Sequence, residues 1–261
     1  MSLQLNTTEE GNKYQEFYGR NLDQMPLLIS SGRTLMSFAQ VMRRRLEAPE
    51  EVRGLWRQNY FDTGDASARN PNGKLKVVYD AQQLRDINPE SKLSVGALVL
   101  ENGVYEQLQG EEFSKKDLAK YTDEVLTLKQ VKSNPIWKAL AKGDQTLLSD
   151  YADSMFSVGK ERFGYDEMMG IGIDNAQGVA TMRPWFVGRL GGSSRSGADG
   201  WTLLGNDGGR LVGVEAPKVQ SAPGISSIDD KVMSALNKGI SFEFNGTLYA
   251  PIKKDSGLKL L

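Results

Sequence analysis

The 261-residue chain contains no histidine and no cysteine. Histidine is the side chain whose unperturbed pKa lies nearest neutrality. Its absence excludes a Ser-His-Asp triad and any imidazole general base. Without cysteine there is no thiolate nucleophile, no disulfide and no iron–sulfur cluster. Ordinary structural zinc sites draw on the same two residues and are excluded with them. Excess charge is missing too: 32 Lys and Arg against 33 Asp and Glu leave a formal net charge of −1. A general polyanion binder carries a basic surplus, so nucleic acid is not the default partner. Apolar runs such as Val95–Leu100 fall far short of the ~20 residues that cross a bilayer. The polar, acidic start Met1–Lys13 has neither the cationic nor the apolar part of a signal peptide. The expectation is a cytoplasmic, intracellular protein with no membrane partner.

What is present describes a folded chain. Hydrophobic residues make up 39% and charged residues 25%, enough to bury a core at this length. Leu35, Phe38, Met42 and Leu46 recur at helical spacing, with Thr34 or Ser31 as the cap, and Ala48-Pro49 ends that helix. Glu50–Asn59 continues as a second short helix. Tyr60–Gly73, rich in Asp, Asn and Gly, reads as a polar loop. Lys74–Tyr79 has strand character and Ala81–Asp86 reads as a short helix. Leu93–Leu100, Asn102-Gly103 and Val104–Leu108 read as a hairpin, because Asn-Gly suits a type I′ turn. The middle is helical: Ser114–Tyr121 with Asp117 completing an acidic capping box, Leu128–Ala141 interrupted at Asn134-Pro135, and Asp144–Val158 stopped by Gly159.

Beyond Met168 strands return. Met169–Ile173 and Thr181–Leu190 are predicted strands, and Trp201–Leu204 and Arg210–Val214 a pair joined by a glycine-rich turn. Ser227 caps a helix over Ile228–Lys238. Ile240–Phe244 and Thr247–Ile252 flank Asn245-Gly246, which sets Phe242 opposite Tyr249. The fold class is therefore α+β, a mainly antiparallel sheet built from hairpins with a central helical segment. Three portions follow: 1–112, an N-terminal α/β portion; 113–165, the helical segment; and 166–261, a β-rich C-terminal portion. A single domain is equally compatible.

Four constellations could carry chemistry. The Gly/Ser/Arg tract from Arg183 to Arg210 offers backbone N–H groups and forked guanidiniums to an anion. Its candidate ligand contacts are Arg183, Arg189, Ser193, Ser194, Arg195, Ser196, Asp199 and Arg210, set against the plain reading of two hairpin loops. Asp62-Thr63-Gly64 shares three letters with the aspartic proteases, but no second copy supplies the paired aspartate. Asp62 and Asp65 could instead give oxygen ligands to Mg²⁺ or Ca²⁺; no other cofactor is expected. Arg43-Arg44-Arg45 with Arg53 and Arg57 could touch RNA or DNA. Three consecutive helical residues fan apart at ~100° each, however, and make no single patch. Carboxylate pairs can hydrolyse glycosides without histidine, yet no spacing selects two of the many acids. The four tryptophans read as core or interface.

With the common catalytic groups missing, the leading reading is a non-enzymatic binding or assembly protein, open to self-association as a homo-oligomer. The alternative is an enzyme or binding protein for an anionic or sugar-like small molecule, and if an enzyme then a carboxylate- or Mg-dependent hydrolase. RNA or DNA binding through Arg43–Arg57 comes third. The separating observation is whether the Asp62 and Ser193–Asp199 segments meet in one cleft.

Overall fold

A computed structural model describes residues 2–191, 194–215, 242–244 and 247–249. Met1–Ala216 and Pro217–Leu261 are separate compact units. The first is an α+β unit around an 11-stranded, mostly antiparallel sheet. In space its main path runs Tyr14–Tyr18, Arg210–Glu215, Phe61–Arg69, Thr181–Val187, Ala198–Gly200, Ile171–Ile173. Leu75–Val78 adds to the far end of Phe61–Arg69, and Arg33–Leu35 to the end of Arg210–Glu215. Two pairings are parallel, at Leu211↔Asp62 and between Ile171–Ile173 and Ala198–Gly200. Most neighbours in the sheet are therefore distant in sequence, not hairpin partners.

The central strand is the main departure from expectation. Phe61–Arg69 lies in the segment read as a polar loop, yet all nine of its residues are buried. Its small residues, Gly64, Ala66, Ser67 and Ala68, admit layers on both faces, and its polar groups find partners. Thr63 Oγ1 donates to the Trp185 carbonyl at 2.8 Å, and Asp65 accepts from the Phe38 and Asp80 N–H groups. Strand alternation then splits the core. Phe61, Leu75, Val77, Trp185, Val187 and Val212 join the cluster beneath helices Phe38–Glu47, Glu50–Gln58, Pro135–Leu140 and Gln145–Phe163. Ala66, Ala68, Val78, Met182 and Leu211 face a second cluster under helix Asn21–Ser30.

Local signals account for the helix ends. Ser37, not Thr34 or Ser31, caps Phe38–Glu47 through a capping box with Gln40. The Ser114–Asp117 box forms as predicted, and Asn134 accepts from Ile136 and Trp137 to start a new helix at Pro135. Helix Gln145–Phe163 runs past Gly159 and ends at Gly164, whose φ of +69° is left-handed. Gly159 is there for close packing: a Cβ would sit 2.8 Å from Met168 Sδ. The hairpin in the 93–108 region turns at Val95-Gly96, both with positive φ, and pairs Leu93–Ser94 with Ala97–Val99. Asn102-Gly103 leads into a helical turn, Val104–Gln107, instead of a hairpin. Trp201–Leu204 is irregular and not a strand. In the second unit Phe242–Phe244 pairs with Thr247–Tyr249 in the expected register, Phe242↔Tyr249. The helix expected over Ile228–Lys238 lies outside the described residues.

Gly170 separates the short strands Glu167–Met169 and Ile171–Ile173. A Cβ there would collide with the backbone carbonyls of Asp123 and Glu124. Gly170→Ala is expected to destabilise by about 1–3 kcal/mol through overpacking. Urea unfolding with an unshifted midpoint would show that this backbone yields freely.

Candidate ligand-binding site

Three strands in register build one wall. Phe186 lies opposite Asp62 on one side and Asp199 on the other. Residues in register on neighbouring strands point to the same face. Asp62, Phe186 and Asp199 therefore share a face, the two aspartates about two strand spacings, ~9–10 Å, apart. They line a cavity of about 460 Å³ whose other walls include Tyr60, Trp201, Leu203 and Asn206. Trp201 is 58% exposed and Leu203 44%.

The floor is fixed from several elements. Asp62 Oδ2 accepts from Asn21 Nδ2 at 3.1 Å and from the Arg210 backbone N–H at 2.9 Å. Asp62 Oδ1 is buried with no hydrogen-bond partner. Burial pushes the Asp62 carboxyl up to about 6, against the opposing pull of Arg210, Asn21 and the nearby Thr202 hydroxyl. Burial also raises Asp199, with the Trp201 indole acting the other way. Tyr60 stacks on Phe186 at 5.2 Å and donates its hydroxyl to the Gly208 carbonyl at 2.8 Å.

Arg183 braces the cavity's rim from below. Its Nε meets Asp174 at 2.9 Å, Nη1 donates to the Thr202 carbonyl, and Nη2 donates to the Val95 carbonyl at 2.7 Å. Val95, a β-branched residue at φ +49°, is thereby held in a region such residues rarely enter.

The other arginines of the tract do not gather at this cavity. Arg210 pairs with Glu16 at 2.8 Å, donates to Asn59 and lies over the Tyr18 and Tyr60 rings. Arg195 covers the Tyr165 ring, and Arg189 is exposed. Ser196 is buried against Arg45 and Tyr151, and Ser194 Oγ crowds Gly188. Ser193 lies outside the described residues. Asp62 and Asp65, three apart on one strand, face opposite sides of the sheet. Asp65 binds backbone N–H groups there, with Lys142 Nζ 3.8 Å away. Among the described residues no group of three acidic side chains could hold a metal ion.

Arg43, Arg44 and Arg45 diverge as helical geometry requires. Arg43 pairs with Asp144, and Arg44 with Glu10 above the Tyr14 and Trp56 rings. Arg45 is fully buried. Trp56, Trp137 and Trp185 are core residues, as expected of all four tryptophans. Trp201 is the exception. The signal available for it was its setting, Asp-Gly-Trp-Thr, among turn and polar residues instead of an apolar stripe. Tyr60, Phe186 and Asn206 carried no such signal; only the register brings them to the cavity.

No protein-family model matches the sequence, and no curated protein sequence does. A solved structure described as "Accommodation of massive sequence variation in Nanoarchaeota by the C-type lectin fold" superposes with a TM-score of 0.59 at 17% identity, over 78% of this chain and 99% of that one. The likeness establishes a C-type lectin-like α+β fold. Among the described residues no helix is long and apolar enough to cross a membrane.

Proposed function

We propose that the protein is a non-catalytic binding protein that takes a sugar-like polar small molecule into the Trp201 cavity. The observation that carries this reading is the exposed Trp201 indole beside two carboxyl groups fixed in register on one sheet face. An indole face suits the apolar C–H face of a sugar ring, and the half-buried Asp199 carboxyl and exposed Asn206 amide suit its hydroxyls. Asp62 Oδ1 is closed off from solvent, so the half-buried Asp199 carboxyl is the acid open to such a hydroxyl. The acid-lined cleft shifts the weight from pure assembly to ligand binding, and the neighbour's lectin-type fold agrees with that role.

Hydrolysis by the same two carboxyls is the second reading. A catalytic acid and base need environments that push their pKa values apart. Here burial raises both Asp62 and Asp199, and release of free sugar is the outcome that would assign them catalytic roles.

The test is a soluble-glycan array followed by calorimetry on any hit. Trp201→Ala is expected to weaken binding about tenfold or more, ~1.4 kcal/mol, with the melting temperature unchanged because the ring is exposed. Retention of no glycan by the wild type overturns the reading. Release of free sugar from a retained glycoside transfers it to hydrolysis.

A further inference from the structure

A second concavity, of about 280 Å³, lies between helix Glu50–Gln58 and the end of helix Gln145–Phe163. Arg53, Arg57 and Arg162 line it, with Glu50 as the one acidic residue among them. Seven of the fourteen arginines of this protein are matched to a carboxylate. Arg20, Arg33, Arg43, Arg44, Arg85, Arg183 and Arg210 each have one within 4 Å. Among the described residues none of Arg53, Arg57 and Arg162 forms an ion pair.

Their partners are neutral. Arg57 Nε donates to the Arg45 carbonyl at 3.2 Å and Nη2 to Ser154 Oγ at 2.9 Å, which fixes the guanidinium and leaves Nη1 uncommitted. Arg53 spends only Nε, on the Ala48 carbonyl at 2.7 Å. Arg162 makes no hydrogen bond among the described residues. Burial holds Arg57 below the usual arginine range, and Arg53, Arg162 and Arg45 push it further the same way. Like charges gathered in a partly enclosed space repel one another, and a bound anion would offset that repulsion.

We propose that this concavity is an anion site, distinct from the Trp201 cavity, which binds the phosphate or sulfate group of a small molecule. Tetrahedral oxyanions match the forked donors of arginine. Phe163, 43% exposed, and the half-buried Val158 supply an apolar wall for the rest of the ligand. The site is a single small recess and the chain carries a net charge of −1. A nucleic-acid backbone would call instead for an extended basic stripe.

The experiment is titration of the ¹⁵N-labelled full chain with inorganic phosphate and, separately, with sulfate. Arg162→Ala removes a guanidinium that no internal bond uses, so folding is preserved. The backbone signals of Gly54, Arg57 and Phe163 should shift and saturate, those of Asp199 and Trp201 should stay, and Arg162→Ala should weaken the affinity about fivefold or more, ~1 kcal/mol. A larger effect of one anion than the other identifies which group the site prefers. No shift up to about 20 mM anion, where even a millimolar site would saturate, overturns the proposal. So does an affinity unchanged in Arg162→Ala. A single-stranded RNA that shifts the same signals and resists displacement by phosphate assigns the arginines to nucleic acid and also overturns it.

Discussion

Replacing Arg45 with alanine is expected to cost about 3–5 kcal/mol of folding stability, from buried acceptors left unpaired and from the cavity left by the side chain. The guanidinium is fully buried on the helix-covered side of the sheet. It donates to the Trp56 carbonyl at 2.9 Å, the Asn59 carbonyl at 2.7 Å, the Tyr151 hydroxyl at 2.8 Å and Ser196 Oγ at 3.2 Å. No carboxylate lies within ion-pair distance, so the charge is held by dipoles alone. Removing it leaves two carbonyls at the end of helix Glu50–Gln58 without their donor, each costing about 1–3 kcal/mol when buried. A cavity the size of the side chain adds to that. Arg45→Lys should recover little, because one ammonium cannot span four acceptors set around a planar fork. Urea denaturation of the two variants checks this. A midpoint within error of wild type for Arg45→Ala would mean that water replaces the guanidinium without loss.

Asp62→Asn is expected to raise stability above pH 6 by as much as about 3 kcal/mol and to change little below pH 4. Burial lifts the native carboxyl from 3.8 to about 6. A group raised in this way favours the fold fully below its unfolded pKa, and that support is lost as pH rises through the folded value. Wild type therefore weakens between about pH 4 and 6, and stays weakened above. The asparagine carbonyl still accepts from Asn21 and the Arg210 N–H, and the new amide has no charge to desolvate. Asp65 and Asp199 are raised in the same direction, so wild type slopes more steeply than Asp62 alone would produce. The difference between the two proteins isolates residue 62. Thermal melts from pH 4 to 8 should show curves that diverge as pH rises. Parallel curves would place Asp62 in a wetter setting than its 2% exposure implies.

Elements whose information is local could be read without the structure. Capping at Ser114, the break at Asn134-Pro135, the apolar face of Gln145–Phe163 and the Phe242↔Tyr249 register each depend on a few adjacent residues. The central strand could not. Asp-Thr-Gly-Asp-Ala-Ser has the composition of a loop, and becomes a strand only because Asn21, Phe38, Asp80, Trp185 and Arg210 supply partners from elsewhere in the chain. The Asn102-Gly103 reading failed because Val95-Gly96 reached the required positive φ first. The cavity was half visible. Asp62 and Asp199 stood among the candidates, but their meeting follows from strand order, which the sequence does not display. The arginines of the Gly/Ser/Arg tract suggested an anion clamp; in the fold Arg183 braces the cavity, Arg210 turns to Glu16, and the three guanidiniums of the second concavity lie on two helices.

The pairing of Tyr14–Tyr18 with Arg210–Glu215 joins residues almost 200 positions apart at one side of the sheet. Arg210–Glu215 also sits between that strand and the buried Phe61–Arg69. A chain emerging from the ribosome thus holds its first strand unpaired until residue 215 is synthesised. Closure of so long a loop is slow and carries a large entropic cost. Until then the edges of Tyr14–Tyr18 and Phe61–Arg69 stay open to wrong partners. Arg210–Glu215 thus acts as the latch that completes the sheet of the first unit.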